Sequence, residues 1–112
     1  MAGVVFQLNE GSAQKHRMVL RNIQNLLAEM PDLFVELVVH GEGLGIVLTS
    51  ESTVAESLAV LSEKGVSVAV CRNSLKGKSL SEADLLPGMT VVNAGIARVV
   101  ERQQEGFSYI KA

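Results

Sequence analysis

The sequence predicts an α/β domain built on a mostly parallel sheet. Three observations lead there. Short β-branched runs alternate with longer segments whose apolar residues recur every three or four positions, so strands alternate with helices. The run Leu33–His40 (LFVELVVH) is apolar except at Glu36 and the closing His40, as expected of a strand covered on both faces. The 112 residues contain no repeat, linker or low-complexity segment, so residues 1–112 are read as one domain.

The elements follow in order. Val4–Leu8 is too short for a helix, rich in β-branched and aromatic residues, and closed by Asn9-Glu10-Gly11, which marks a buried strand. Ser12 can cap a helix reaching about Met30, with Val19, Leu20, Ile23, Leu26, Leu27 and Met30 on one face; Pro31 stops it. After the second strand, Ile46–Leu48 fits either a helical turn or a stub of strand. Thr53 and Glu56 have the spacing of a capping box for a helix ending at Lys64, where Gly65 supplies a left-handed terminus. Val66–Val70 is a third strand, ending at Cys71. Ser81 and Asp84 form a second possible box, and Pro87-Gly88 is a turn pair. Met89–Val92 is a strand, Asn93 to about Glu105 a helix ended by Gly106, and Phe107–Ile110 a last strand.

Composition removes several classes of function. Ten Lys and Arg against 12 Asp and Glu leave a net charge of −2, without the basic footprint of a nucleic-acid binder. One Cys excludes an internal disulfide framework and a Cys-based zinc site. Two distant His and scattered Glu show no metal-ligand spacing, so no metal is expected. No basic segment precedes Val4–Leu8, so a signal peptide is not expected, and no run approaches the ~20 apolar residues of a membrane span. The expected location is the cytoplasm.

If the strands are parallel, their carboxyl ends share one edge, where ligands of open α/β sheets bind. That edge receives Asn9-Glu10-Gly11, His40-Gly41-Glu42, Cys71-Arg72-Asn73-Ser74 and Asn93-Ala94-Gly95. The single Cys and one of the two His thus fall where a site is expected. A thiol there can be activated by a helix N-terminus, a cation or an imidazole, and Arg72, Lys76, Lys78 and His40 are candidates. A buried Cys that only packs is the alternative. The Cys-x5-Arg signature of phosphatase and rhodanese loops is absent, because Gly77 occupies the Arg position, and one Cys cannot make a Cys-x-x-Cys pair. Gly41-x-Gly43-x-Gly45 lacks the third glycine of a dinucleotide fingerprint and the Gly-Lys-Ser/Thr of a P-loop; a sharp turn is the expected role. Lys15-His16-Arg17 opposes the first helix's dipole, and exposed side chains partly balanced by Glu10 are expected.

Several fragments together resemble one family. They are Asn22-Ile23-Gln24-Asn25-Leu26-Leu27, Val38-Val39-His40-Gly41, Lys64-Gly65-Val66, Cys71-Arg72-Asn73-Ser74-Leu75 and Gln103-Gln104-Glu105-Gly106-Phe107-Ser108-Tyr109-Ile110. In their order and spacing they resemble the DsrE/DsrF-like family of small sulfur-relay proteins, particularly its short stand-alone members. The resemblance implies a three-layer α/β/α sandwich with a five-stranded sheet, assembled as a trimer or hexamer. It also implies that Cys71 accepts sulfur as a persulfide and passes it to a partner, without a cofactor. Asn9, His40, Arg72, Asn73 and Ser74 are expected to line the site. The competing expectation is a non-catalytic oligomeric binding or assembly module in which Cys71 is structural. A nucleotide-binding domain is a third reading, testable by thermal stabilisation with nucleotides.

Overall fold

A computed structural model describes residues 2–112. Five strands are joined by four α-helices: β1 (Val4–Leu8), α1 (Ala13–Glu29), β2 (Val35–Val39), α2 (Ala55–Glu63), β3 (Ser67–Cys71), α3 (Arg72–Gly77), β4 (Thr90–Val92), α4 (Gly95–Gln104) and β5 (Ser108–Lys111). Every expected strand is present, β1 with the expected ends and the others with ends shifted by at most two residues. The four strand pairings are all parallel, and the order across the sheet is β4-β3-β2-β1-β5.

Local chemistry explains most boundaries. Ser12 caps α1, its hydroxyl accepting from the Lys15 amide at 3.1 Å. Gly65 follows α2 at φ +97°, the left-handed conformation expected there. The Ser81–Asp84 box forms around a short 3₁₀ turn: the Ser81 hydroxyl accepts from the Ala83 amide, and the Asp84 carboxylate accepts from the Ser81 amide. Ile46–Leu48 combines both expected forms. Gly41–Val47 is a 3₁₀ helix, and Leu48 makes an isolated antiparallel bridge to Leu85.

Two expectations are corrected. The Thr53–Glu56 box does not form. The chain turns at Leu48–Ser52, Val54 sinks into the core, and the Val54 carbonyl accepts the first helical bond, from Leu58. His16 is buried instead of exposed, and its Nε2 donates to the Glu10 carbonyl at 2.7 Å. The residues after Cys71, assigned to no element from the sequence, form helix α3; its six residues contain one buried apolar side chain, Leu75, too little for a periodic signal.

Connectivity determines the layers. Crossovers between parallel strands are almost always right-handed. The steps β1 to β2 to β3 to β4 run in one direction, so their helices share one face, where Val19, Leu20, Ile23, Leu58, Leu61 and Leu75 join one core with Phe6, Leu37 and Val68. The step from β4 to β5 returns across the sheet and must use the other face. Among the described helices only α4 lies there, with Val99 packed on Val5, Val38 and Ala69. The result is a three-layer sandwich with one thinly covered face.

An ion cluster fastens α4 to the sheet. Glu36, only 1% exposed, projects from β2 toward that face. Arg102 binds both its oxygens, Nε to Oε1 at 2.8 Å and a terminal nitrogen to Oε2 at 3.2 Å. The Ser67 hydroxyl donates to Oε2 at 2.8 Å, and Arg98 Nε stands 3.4 Å from Oε1. The Arg102 guanidinium also lies over the Phe34 and Phe107 rings. Burial pushes the Glu36 carboxyl pKa up, but Arg102, Ser67 and Arg98 outweigh it, so the pKa lies below the ordinary value.

Candidate functional site

The reversal of connectivity also positions the site. The chain leaving β3 enters α3 on one side of the sheet, and the chain leaving β4 enters α4 on the other. Adjacent strand ends whose helices diverge define a topological switch point, where open α/β sheets leave a crevice. Cys71 closes β3 at that point and pairs with Val92 of β4. The Asn73 amide reaches the Asn93 carbonyl at 3.3 Å, tying the two turns together.

Cys71 is nearly enclosed, at 6% exposure, and its sulfur accepts a backbone hydrogen bond. It caps α3, accepting from the Ser74 amide at 3.4 Å. The Ser74 hydroxyl accepts from the Gly41 amide at 2.8 Å, which leaves its own proton for the sulfur. Burial pushes the Cys71 thiol pKa up; the Ser74 hydroxyl and the Gly95, Ser74 and Asn73 amides more than offset this and bring it below the ordinary thiol range. The start of α3 thus bonds the sulfur and the start of α4 lies beside it, and these surroundings favour its anion.

Glycine at position 95 makes this possible. A β-carbon there would stand 3.2 Å from the β-carbons of both Cys71 and His40, and 3.3 Å from Val38. Without a side chain, α4 begins close against Cys71 and His40. The same contacts show that Cys71 and His40 are neighbours on one face, as the register Val39↔Val70 requires for the next pair of positions.

The other expected site residues divide. Ser74 bonds the sulfur through its amide, and Asn73, whose amide goes to the Asn93 carbonyl, lies in the same turn and helps lower the thiol pKa. Asn9 is exposed at the end of β1 and lies beside Gly41 and Gly43, the turn that follows His40. Arg72 faces Glu82 at 3.6 Å, and Lys78 faces Glu42 at 3.1 Å. Two clefts of about 420 Å³ each lie elsewhere, one against α1 and α2 and one between α2 and the turn before β4. Among the described residues no three His, Cys, Asp or Glu side chains gather to hold a metal ion, and no helix is long and apolar enough to cross a membrane.

Two residues escaped the sequence reading. Gln7 of β1 contacts His40 Nε2 at 2.9 Å, and the Tyr109 hydroxyl of β5 donates to Gln7 Oε1. A signal for Gln7 was present: a polar side chain interrupting an otherwise buried strand needs a partner. Tyr109 had none, because its partner is 102 positions away.

The fold and this rim define an open, wholly parallel α/β domain that holds a lone thiol among backbone amides at a switch point. The chain belongs to the DsrE/DsrF-like family, which matches residues 3–112 and is associated in general with sulfur relay. It is similar in structure to a protein of unknown function, MTH1491 from Methanobacterium thermoautotrophicum, with a TM-score of 0.95 and 28% identity over 100% of both chains. It also shares its fold with the ychN protein from E. coli, at a TM-score of 0.83 and 17% identity over 100% of both chains. Comparison with curated proteins gives no match.

Proposed function

We propose that the protein carries sulfur as a persulfide on Cys71. The observation behind this reading is the Ser74 amide bonded to the Cys71 sulfur at 3.4 Å with the start of α4 packed beside it at Gly95, surroundings that lower the thiol pKa. The Cys71 thiolate attacks the sulfane sulfur of a donor persulfide or polysulfide. The donor's S–S bond breaks, its electron pair leaves with the donor thiolate, and the outer sulfur stays on Cys71 as an anion. An acceptor thiolate then attacks that outer sulfur and releases the Cys71 thiolate. The exchange needs no external oxidant or reductant and no cofactor, and a thiol of lowered pKa is a good leaving group in the second step. Arg72 is engaged by Glu82, so holding the anion falls to the amides. The partners are a sulfur donor and a sulfur acceptor, and the proposed compartment is the cytoplasm, where thiols stay reduced.

Intact mass spectrometry after incubation with polysulfide or thiosulfate tests the reading. The wild type is expected to gain one or more sulfur atoms that a reductant removes, and Cys71→Ser to gain none. Absence of adducts on the wild type, or equal adducts on Cys71→Ser, refutes it. The near-complete burial of Cys71 favours a second reading, an assembly module in which the thiol only packs. Alkylation separates the two. A carrier thiol reacts in the native protein with a rate that titrates below about 8.5, whereas a packing thiol reacts only after unfolding.

We further propose a homo-oligomer, a trimer or hexamer. Ile96 and Val100 lie four residues apart on α4, 58% and 48% exposed, and Tyr109 and Met18 add exposed apolar area. Light scattering at micromolar concentration is expected to show a multiple of the chain mass; a 12.0 kDa particle refutes assembly.

A further inference from the structure

Gln7 has two side-chain partners, each a ring on or just after a neighbouring strand. Its Oε1 accepts from the Tyr109 hydroxyl of β5, and its Nε2 lies 2.9 Å from Nε2 of His40, the residue that follows β2. An amide nitrogen only donates, so the imidazole nitrogen facing it is the acceptor. A ring that accepts at Nε2 is neutral and carries its proton on Nδ1. Burial acts in the same direction, since it lowers the His40 pKa. Register places the three groups together: Gln7 pairs with Val38, two residues before His40, so both face α4, and Cys71 is level with His40 across Gly95.

We infer that Gln7 is the positioning residue of this site: tethered by Tyr109, it holds His40 neutral with the proton on Nδ1, so that His40 acts beside Cys71 as a hydrogen-bond donor and not as the base that removes the thiol proton. What His40 serves rests on the sulfur-carrier reading; which nitrogen holds the proton does not. The division of labour is chemically consistent. Amides and the Ser74 hydroxyl already favour the thiolate, so the site needs no imidazole base. A neutral donor can stabilise a sulfur anion in both its states, thiolate and persulfide, without gaining or losing a proton during transfer.

The test is ¹⁵N NMR of the labelled imidazole in the native protein, because the two ring nitrogens report directly which carries the proton. The wild type is expected to show His40 protonated on Nδ1. Gln7→Leu is expected to release the ring to the Nε2-protonated form that free imidazoles favour. Gln7→Glu is expected to hold the proton on Nε2, since a carboxylate only accepts, and to make the ring easier to protonate. Tyr109→Phe is expected to give a mixture, because the untethered amide can turn. These last two variants decide the matter if Gln7→Leu fails to fold. The rate of sulfur loading, read by intact mass, is expected to fall about tenfold in Gln7→Leu, the scale of one lost hydrogen bond. A wild-type ring protonated on Nε2, or a proton unmoved by Gln7→Glu, overturns the inference even if Cys71 loads sulfur normally. Conversely, a ring protonated on Nδ1 in a protein that takes up no sulfur supports the positioning by Gln7 and refutes the carrier reading alone.

Discussion

Glu36→Ala is expected to destabilise the protein by about 3–5 kcal/mol, the cost of stranding buried charge. Arg102 directs two bonds to the Glu36 carboxylate, at 2.8 and 3.2 Å, and a third to the exposed Glu105 at 3.0 Å, while Arg98 Nε is buried with no other partner. The alanine removes their shared buried counter-charge, leaves Arg102 only its surface partner Glu105, and leaves Ser67 without its acceptor. Against a total stability of roughly 5–15 kcal/mol for a domain, the loss brings the chain near its unfolding threshold. Arg98→Met is expected to cost much less, because Glu36 keeps Arg102 and Ser67. Acid should imitate the alanine. The folded-state pKa of Glu36 lies below its ordinary 4.5, so its contribution is full above that pH and is lost as the pH falls through the lowered folded value. His40 adds lability of the same sign: burial lowers its pKa, so acid favours the unfolded chain, which binds the proton more readily. Thermal unfolding checks this; a fall in Tm of less than about 5 °C for Glu36→Ala would be too small for a buried charge left unpaired.

Gly43→Ala is expected to cost roughly 1–3 kcal/mol and to disturb the thiol as well. A β-carbon at Gly43 would fall 2.4 Å from the Leu8 carbonyl oxygen and 3.2 Å from the Asn9 α-carbon, so backbone must move. That Leu8 carbonyl also accepts the His40 amide, and the His40 carbonyl accepts the Gly43 amide. Strain at Gly43 therefore passes to the turn carrying His40 and Gly41, and through the Gly41 amide to the Ser74 hydroxyl. Chemical denaturation should show the loss of stability, and alkylation of Cys71 should shift toward higher pH. Gly77→Ala provides the contrast. Gly77 lies in α3 with nothing within 4 Å of its β-position, so alanine there is expected to stabilise by about 0.4–1 kcal/mol. If Gly43→Ala proved as stable as the wild type, the close approach at Leu8 would carry no weight.

The sequence by itself determined the strands, the long helices and their alternation, because period-two and period-3.6 patterns are written within a dozen residues. Parallel strands were implied by the continuous apolar run of β2, and from that alone Cys71, His40, Asn9 and Asn73 could be assigned to one edge. Ser12 and Gly65 were legible for the same reason, since a cap involves only near neighbours. Tertiary structure decided the rest. Local pattern specifies no strand order, so the return from β4 to β5, which sends α4 to the far face and opens the switch point at Cys71, had no trace in the text. The Thr53 box lost to burial of Val54, a contest between one capping bond and core packing that composition does not weigh. The amides around Cys71 come from backbone, which every residue possesses and no residue type announces. Glu36 and Gln7 were visible as polar interruptions of buried strands, but their partners stand 66 and 102 positions away at Arg102 and Tyr109. Such pairs exist only once the sheet has brought its edge strand back beside β1, because hydrogen bonds act over a few ångströms of space and not along the chain.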